Sequence, residues 1–351
     1  MKILYAIQGT GNGHLSRAKD IVPALRKHAQ VDIIVSGVQA DINLPFKIKH
    51  WYKGFGFIFG KKGGVDIYAT FKANKIKRFY QEIMSCPVDE YDLVINDFEP
   101  ISAWAAKLKG VPCFALSHQS AMQSKKVPRP HHKDWLGIFI LKNYAPANKS
   151  YSFHFKRYDE RIYTPVIRNE IRKQEVTTGK HITVYLPAYD DKRLINVLGR
   201  IKSTQFEVFS KHTRHSYTDG NVKIQEINAE QFIKSMAGSM GVLCGAGFET
   251  PAEALYLRKK VMVVPMKRQY EQHFNAESLK ELGVPVIPKL SAKYIDYIRV
   301  WIEKDYQITV NFPNETDDIV AQLINDYKNI ASFESSKSKF NPFPKLEFIY
   351  A

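Results

Sequence analysis

The sequence predicts two doubly wound α/β domains facing each other across a cleft, on three observations. Strand-like apolar runs alternate with amphipathic helical patterns in both halves of the chain, which implies parallel sheets with crossover helices. Each half carries a glycine-rich turn directly after a buried strand, one around Gly9, Gly11 and Gly13 and one at Gly245-Ala246-Gly247. Between the halves, YTPVIRNEIRKQEVTTGK at 163–180 is polar and has no periodic apolar face, as befits a linker. The chain therefore divides into a first domain at 1–162, a linker at 163–180, a second domain at 181–330 and a tail at 331–351.

The totals agree. A length of 351 residues suits two domains, each large enough for its own core. With 44% hydrophobic and 25% charged residues, the composition is that of a globular protein. Met1-Lys2 leads straight into ILYAI without a secretory-signal pattern, and no run is long and apolar enough for a bilayer span. Cys86, Cys113 and Cys244 are isolated and lack metal-ligand spacing, so a reducing cytoplasm is expected and no metal site. The net charge of +16 comes from dispersed lysines with no nucleic-acid module, so no nucleic-acid partner is expected. An anionic membrane face, a diphosphate-bearing ligand and plain solubility each account for the charge.

The opening MKILYAIQGTGNGHLSRAKDIVPALRKH reads as strand, glycine turn and amphipathic helix, with Leu15, Ala18, Ile21, Val22 and Leu25 at helical spacing. Gly11, Asn12, Gly13 and His14 lie on the turn, whose glycines are too closely spaced for a dinucleotide fingerprint. VDIIVSG is a second strand and FKIKHWY carries a third. WYKGFGFIFGKKGG at 51–64 interleaves aromatics with glycine and is flanked by lysines. It suits contact with an anionic membrane, or a hairpin packed on its own domain. TFKANKIKRFYQEIMS is a basic helix, and YDLVINDFEP is a buried strand ending at Asp97. Open α/β sheets place ligands beyond the carboxyl ends of their strands, so Asp97 is a ligand-site candidate or a partner that orients His14. It could equally cap the next helix. VPCFALSHQ repeats the strand-then-polar design and ends at Ser117-His118-Gln119, where His118 is a candidate base or ligand contact. His131-His132 sit in a proline-broken loop, and WLGIFILKNY reads as a short apolar helix.

The second half restarts with HITVYLPAY and its helix, then the strands FEVFSKH and VKIQEIN. His212 and Arg214 follow the first of these, as cleft-lining or loop residues. The stretch GVLCGAGFETPAEALYLRKKVMVVPMKRQYEQHFNAESLKELG, from Gly241 to Gly283, is the most informative in the chain. A buried strand breaks at Gly245-Ala246-Gly247, and Thr250-Pro251 has the form of a helix start. Small residues at such a turn let backbone N–H groups and a helix N-terminus face an anion. Glu253, one turn on, is placed to accept vicinal ribose hydroxyls, as acidic residues do in dinucleotide sites. After the strand KVMVVP, Glu271, Gln272 and Asn275 suit the hydroxyls of a sugar. Two helices, about 292–305 and 316–330, complete the domain.

In this stretch Gly245, Gly247, Thr250, Glu253, Ala254, Pro265, Glu271, Gln272, Asn275 and Ala276 fall in the order of a donor-binding signature. It resembles that of GT-B glycosyltransferases using nucleotide sugars, above all the family that makes the lipid-linked peptidoglycan precursor. The turn before His14 is similar to the family's first glycine loop.

The resemblance implies a GT-B fold and metal-independent transfer of a sugar from a nucleoside diphosphate sugar, expected to be a UDP-sugar such as UDP-N-acetylglucosamine, to a hydroxyl acceptor. It requires no cofactor beyond the nucleotide sugar as co-substrate. A saccharide or lipid-linked acceptor at the inner membrane face is implied. His14 would activate the acceptor or orient it, unless it is a capping or core histidine. Gly245, Ala246, Gly247 and Thr250 would hold the diphosphate, Glu253 the ribose, and Glu271, Gln272 and Asn275 the sugar. Gly11, Asn12, Gly13 and His118 would line the acceptor side.

One departure stands out. Glu249 adds a carboxylate beside the expected diphosphate, and it is expected to point outward or to stabilise its helix's first turn. A nucleotide-sugar 2-epimerase on the same fold, and a non-catalytic basic binding protein, are the alternatives.

Overall fold

The computed structural model describes residues 1–10, 12–37, 44–56, 75–131, 134–267 and 269–339, for 334–339 the backbone alone. Its first strand, β1 (Lys2–Gln8), is fully buried from Ile3 to Ile7, as a central parallel strand covered on both faces must be. Helix α1 (Asn12–Arg26) buries Leu15, Ala18, Ile21, Val22 and Leu25, the stripe expected from the sequence. Next come β2 (Gln30–Ser36), β3 (His50–Tyr52), α2 (Ile76–Ser85) and β4 (Leu93–Asp97). After them the chain forms α3 (Pro100–Lys109), β5 (Cys113–Ser117), the single turn α4 (His118–Ala121) and α5 (Trp135–Asn143). β6 (Lys149–Phe153) and β7 (Ile162–Tyr163) close a seven-stranded parallel sheet of order β3-β2-β1-β4-β5-β6-β7.

A crossing segment with one helical turn, α6 (Asn169–Arg172), leads to the second sheet. That half contains β8 (His181–Tyr185), α7 (Asp191–Leu198), β9 (Gln205–Ser210), β10 (Tyr217–Asp219), β11 (Val222–Glu226) and α8 (Ala229–Gly238). It continues through β12 (Gly241–Gly245), α9 (Glu249–Tyr256), β13 (Lys260–Val264), α10 (Tyr270–Glu281) and α11 (Ile295–Glu303). Its six strands run β10-β11-β9-β8-β12-β13, parallel except for β10 against β11.

The last helix, α12 (Thr316–Lys339), returns to the first domain. Lys27 pairs with Asp317 at 2.6 Å, Tyr163 donates to Gln322 at 2.6 Å, and Lys149 and Tyr151 both reach Asp326. Leu323 and Ile324 of this helix join a core shared with β1, α1 and the β12–β13 layer. The two sheets thus belong to one packed body, crossed twice by the chain. The lysine-flanked aromatics Phe57, Ile58 and Phe59 lie outside the described residues, whereas Trp51 before them is 63% exposed. Among the described residues no helix is long and apolar enough to cross a membrane.

Candidate active site

The carboxyl ends of β1 and β4 lie side by side, with Ile7 opposite Asp97. That register brings the first glycine turn and the end of the Asp97 strand together. Phe98, just after it, has φ 58°, a left-handed conformation costly for a residue with a Cβ. Asp97 does not cap the next helix. Glu99 does, accepting from Ile101 and Ser102 N–H at 2.7 Å each, which leaves Asp97 to face α1.

His14 Nδ1 lies 2.9 Å from Asp97 Oδ1. An ionised carboxylate only accepts, so the Nδ1 carries the proton and Nε2 presents the lone pair. Burial of the ring disfavours its charged form, yet the attraction and hydrogen bond of Asp97 outweigh this, and the His14 pKa is raised. Asp97 is fully buried, which alone would raise its pKa, but Arg17 and His14 hold it below the ordinary carboxylate value. Arg17, one turn after His14 on α1, donates to both oxygens of Asp97 at 2.8 and 2.9 Å. The Nε2 of His14 meets the Gln119 amide at 3.3 Å, and the same amide reaches Glu271 of α10 at 3.3 Å. The candidate base is therefore placed at the meeting of the two domains.

The second glycine turn faces a small cavity of about 80 Å³ lined by Gly245, Gly247, Thr250 and Gln272 with Tyr185 and Tyr189. A Cβ at Gly247 would meet no atom within 4 Å. Protein packing therefore does not demand glycine there, and the space that it leaves is room for a ligand. Gln272 is held by the N–H of Met266 at 2.9 Å. Ala246 is buried, and its carbonyl accepts from Asn275 at 3.1 Å.

Other expected residues go elsewhere. Asn275 and His118 bind each other at 2.8 Å, and the second ring nitrogen of His118 contacts the Phe153 carbonyl at 2.8 Å. His118 also stacks on Phe248 with centroids 3.7 Å apart and is 1% exposed. Both nitrogens are engaged, and burial lowers its pKa. It forms an interdomain contact, with no open nitrogen for an acceptor. Glu253 is 2% exposed, and its carboxylate takes a bidentate pair from Arg168 of the crossing segment at 2.6 and 2.8 Å. Its burial raises its pKa despite that partner.

Glu249 corrects the sequence expectation. It points neither outward nor along its own helix but across to the first domain, where Arg17 Nη1 donates to it at 2.5 Å. Its carboxylate rests on Gly13, where an added Cβ would lie 2.3 Å from Oε2. A side chain at position 13 would displace the flexible end of Glu249 from this place. The physical reason is charge: Arg17 is buried, and a single carboxylate leaves part of its fork unpaired.

Asn12 opens α1, and Gly11 lies outside the described residues. His212 and Arg214 are exposed after β9, and His131 is exposed in its loop. His132 is likewise outside the described residues. Sequence reasoning missed Arg17, Gln119, Arg168 and Phe248. Arg17 had a usable signal, three residues after His14 on the same helix face, and Gln119 adjoins His118. Nothing local marks Arg168 as the partner of Glu253.

A family model described as glycosyl transferase family 1 matches residues 1–299. No curated protein matches the chain by sequence. The structure is similar to that of MurG from Acinetobacter baumannii, with TM-score 0.52, 14% identity and coverage of 92% of this chain and 94% of that one. It is also similar to Phytolacca americana UGT2 complexed with UDP-2fluoro-glucose and pterostilbene, with TM-score 0.56, 12% identity and coverage of 96% and 98%. The glycotransferase of kitacinnamycin gives 0.55, 12%, 93% and 95% in the same order. At these identities the likeness shows the fold, two Rossmann-like domains in the GT-B arrangement. The family match spans both domains and both glycine turns, and on it the chain belongs to glycosyl transferase family 1.

Proposed function

We propose that the protein transfers a sugar from a nucleoside diphosphate sugar, a UDP-sugar first among them, to a hydroxyl acceptor, without a metal. The observation that carries this is the His14–Asp97 pair at 2.9 Å, with Nε2 linked through Gln119 to Glu271 of the second domain. UGT2, of the same fold, is described as complexed with UDP-2fluoro-glucose, which supports the choice of nucleotide.

In the proposed mechanism, the diphosphate sits on the N–H groups of Gly245 to Gly247 and the start of α9, where the helix dipole favours negative charge. As the sugar–oxygen bond breaks, charge grows on the departing diphosphate, and fixed donors there stabilise it more than they stabilise the ground state. Arg17, shared with Asp97, offsets only part of the charge of Glu249, whose carboxylate still competes with the diphosphate. Gln119 gives up the Nε2 of His14 to the acceptor hydroxyl. His14 takes that proton as the new bond forms, and Asp97 stabilises the resulting imidazolium. Gln272, which lines the cavity, and Glu271, next to it in the chain, are assigned to the sugar. Glu253 reaches a ribose only by sharing its carboxylate with Arg168.

The acceptor is proposed to be a saccharide or lipid-linked saccharide at an anionic membrane face. Exposed Trp135, Leu136 and Phe139 on α5, with Lys125, Lys126 and Lys142 near them in the chain, support it.

The test is a transfer assay with a panel of UDP-, GDP- and dTDP-sugars and candidate saccharide acceptors. Acceptor-dependent nucleotide release that is lost in His14→Ala is the expected result. Nucleotide release with an epimerised sugar and no acceptor would select epimerase chemistry, and no turnover with any pair would remove the transferase reading.

A further inference from the structure

A second cavity, of about 790 Å³, lies at the amino-terminal ends of β12 and β13, the far end of these strands from the glycine turn. Its walls come from the crossing segment (Arg172), the end of α9 (Arg258), Lys259 and Lys260, and the return segment that carries Asp305. Both passages of the chain between the domains therefore border it. Four cations line it and one carboxylate does.

None of these four cations forms an ion pair among the described residues, and Asp305 acts on Lys260 only as a nearby charge. Lys259 is 4% exposed, and its ammonium donates to the carbonyls of Thr177 at 2.5 Å and Ser239 at 2.9 Å. Burial without a counter-ion lowers its pKa to about 8. Lys260 donates to the Ile302 carbonyl at 2.6 Å, and Arg172 to those of Phe312 and Pro313 at 3.0 Å each. The Arg258 side chain has no hydrogen bond or ion pair among the described residues, whereas its backbone N–H donates to the Leu255 carbonyl at 2.9 Å, its own carbonyl accepts from Gln307 at 3.2 Å, and its φ is 57°. That is the left-handed position after a helix, normally filled by glycine. Cations at a helix C-terminus complement its dipole, but this does not explain an arginine where its Cβ is strained. A charged side chain kept there at a cost in backbone energy points to a ligand.

We propose that this cavity binds a phosphorylated small molecule, its phosphate or diphosphate lying among Arg258, Lys259 and Lys260. Tyr256, with the Arg172 guanidinium 4.8 Å over its ring, and Gln307, whose amide donates to the Arg258 carbonyl at 3.2 Å, line the rest of the cavity. The site is separate from the donor turn and does not depend on it. A ligand there bridges both interdomain passages and so favours one domain spacing over another.

Calorimetry of the full chain with inorganic pyrophosphate, with and without saturating UDP, tests this. Arg258→Gly removes the cation and suits the left-handed backbone, so this variant folds. The expected result is pyrophosphate binding that persists when UDP is saturating and weakens about tenfold in Arg258→Gly, as for loss of one charged hydrogen bond. Lys260→Gln should weaken it similarly, with UDP affinity unchanged in both. No pyrophosphate binding, binding indifferent to both variants, or binding abolished by UDP would each overturn the proposal. Should UDP not bind at all, the donor reading falls, while the two variants still decide this one.

Discussion

Arg17 is held between carboxylates of two different domains, at 2.8 and 2.9 Å from the oxygens of Asp97 and 2.5 Å from Glu249. One guanidinium thus fixes the orienting partner of His14 and ties the first domain to the helix that follows the second glycine turn. Glu249 holds the place at Gly13 where an anion entering between the two glycine turns would also be drawn.

Removing that carboxylate should therefore favour the donor. Glu249→Gln keeps the shape and frees one arm of Arg17, and UDP should bind about tenfold more tightly, as for loss of a competing charge contact of ~1.4 kcal/mol. Titration calorimetry reads this directly. Unchanged or weaker affinity would mean that Glu249 is a tie between domains and no competitor.

The two histidines should fail in different ways. His118 is buried, stacked and hydrogen-bonded on both nitrogens, so His118→Ala should lower unfolding stability by about 2–4 kcal/mol. His14→Ala leaves Asp97 with both Arg17 contacts. It should fold normally and lose about 10²–10⁴-fold in turnover. Urea unfolding and turnover, measured on both variants, check this, and a swapped pattern would reverse the assigned roles.

Activity should rise with pH along a limb on the basic side of 6.5, because His14 must be neutral to accept a proton and its pKa is raised. Asp97→Asn removes the attraction that raises it, so the limb should move toward acid as turnover falls. Stability runs the other way. The gain from charged His14 is present below its unfolded value near 6.5 and is lost as pH rises through the folded value. For Asp97, lowered from 3.8, the gain is present above that value and is lost as pH falls through the folded one. A pH–rate profile of wild type and Asp97→Asn is the check, and a limb that stays in place would remove His14 as the titrating base.

Arg168→Ala leaves the Glu253 carboxyl buried without its bidentate partner, so a loss of about 3–5 kcal/mol is expected. Arg168→Met with Glu253→Gln should recover much of it. Equal losses in the single and double variants, by urea unfolding, would show that the pair contributes little as a pair.

Much of this molecule was legible before its structure. The two glycine turns follow buried strands, and period-3.6 patterns such as that of Leu15 to Leu25 mark the crossover helices, since both signals are local. His14 was readable from its glycine turn and Asp97 as a strand-end residue, and β1–β4 pairing then made them neighbours. Long-range partners were not readable. Arg17 with Glu249 and Arg168 with Glu253 join residues 232 and 85 positions apart, and no spacing rule encodes such contacts. His118 misled for the same reason: its strand-end position resembles that of Asp97, but Phe248 and Asn275 from the other domain cover it. The return of α12 to the first domain likewise depends on Asp326 and Gln322 finding Tyr151 and Tyr163.

Binding of UDP, GDP and dTDP to wild type and to Gly247→Ala, by calorimetry, tests the central claim most directly. No atom lies within 4 Å of the added methyl, so the variant should unfold within about 0.5 kcal/mol of wild type while filling the space assigned to the diphosphate. Binding of one nucleoside diphosphate that is lost in the variant is the predicted result. Binding that Gly247→Ala leaves intact, or no binding of any of the three, would contradict a donor diphosphate seated on this turn.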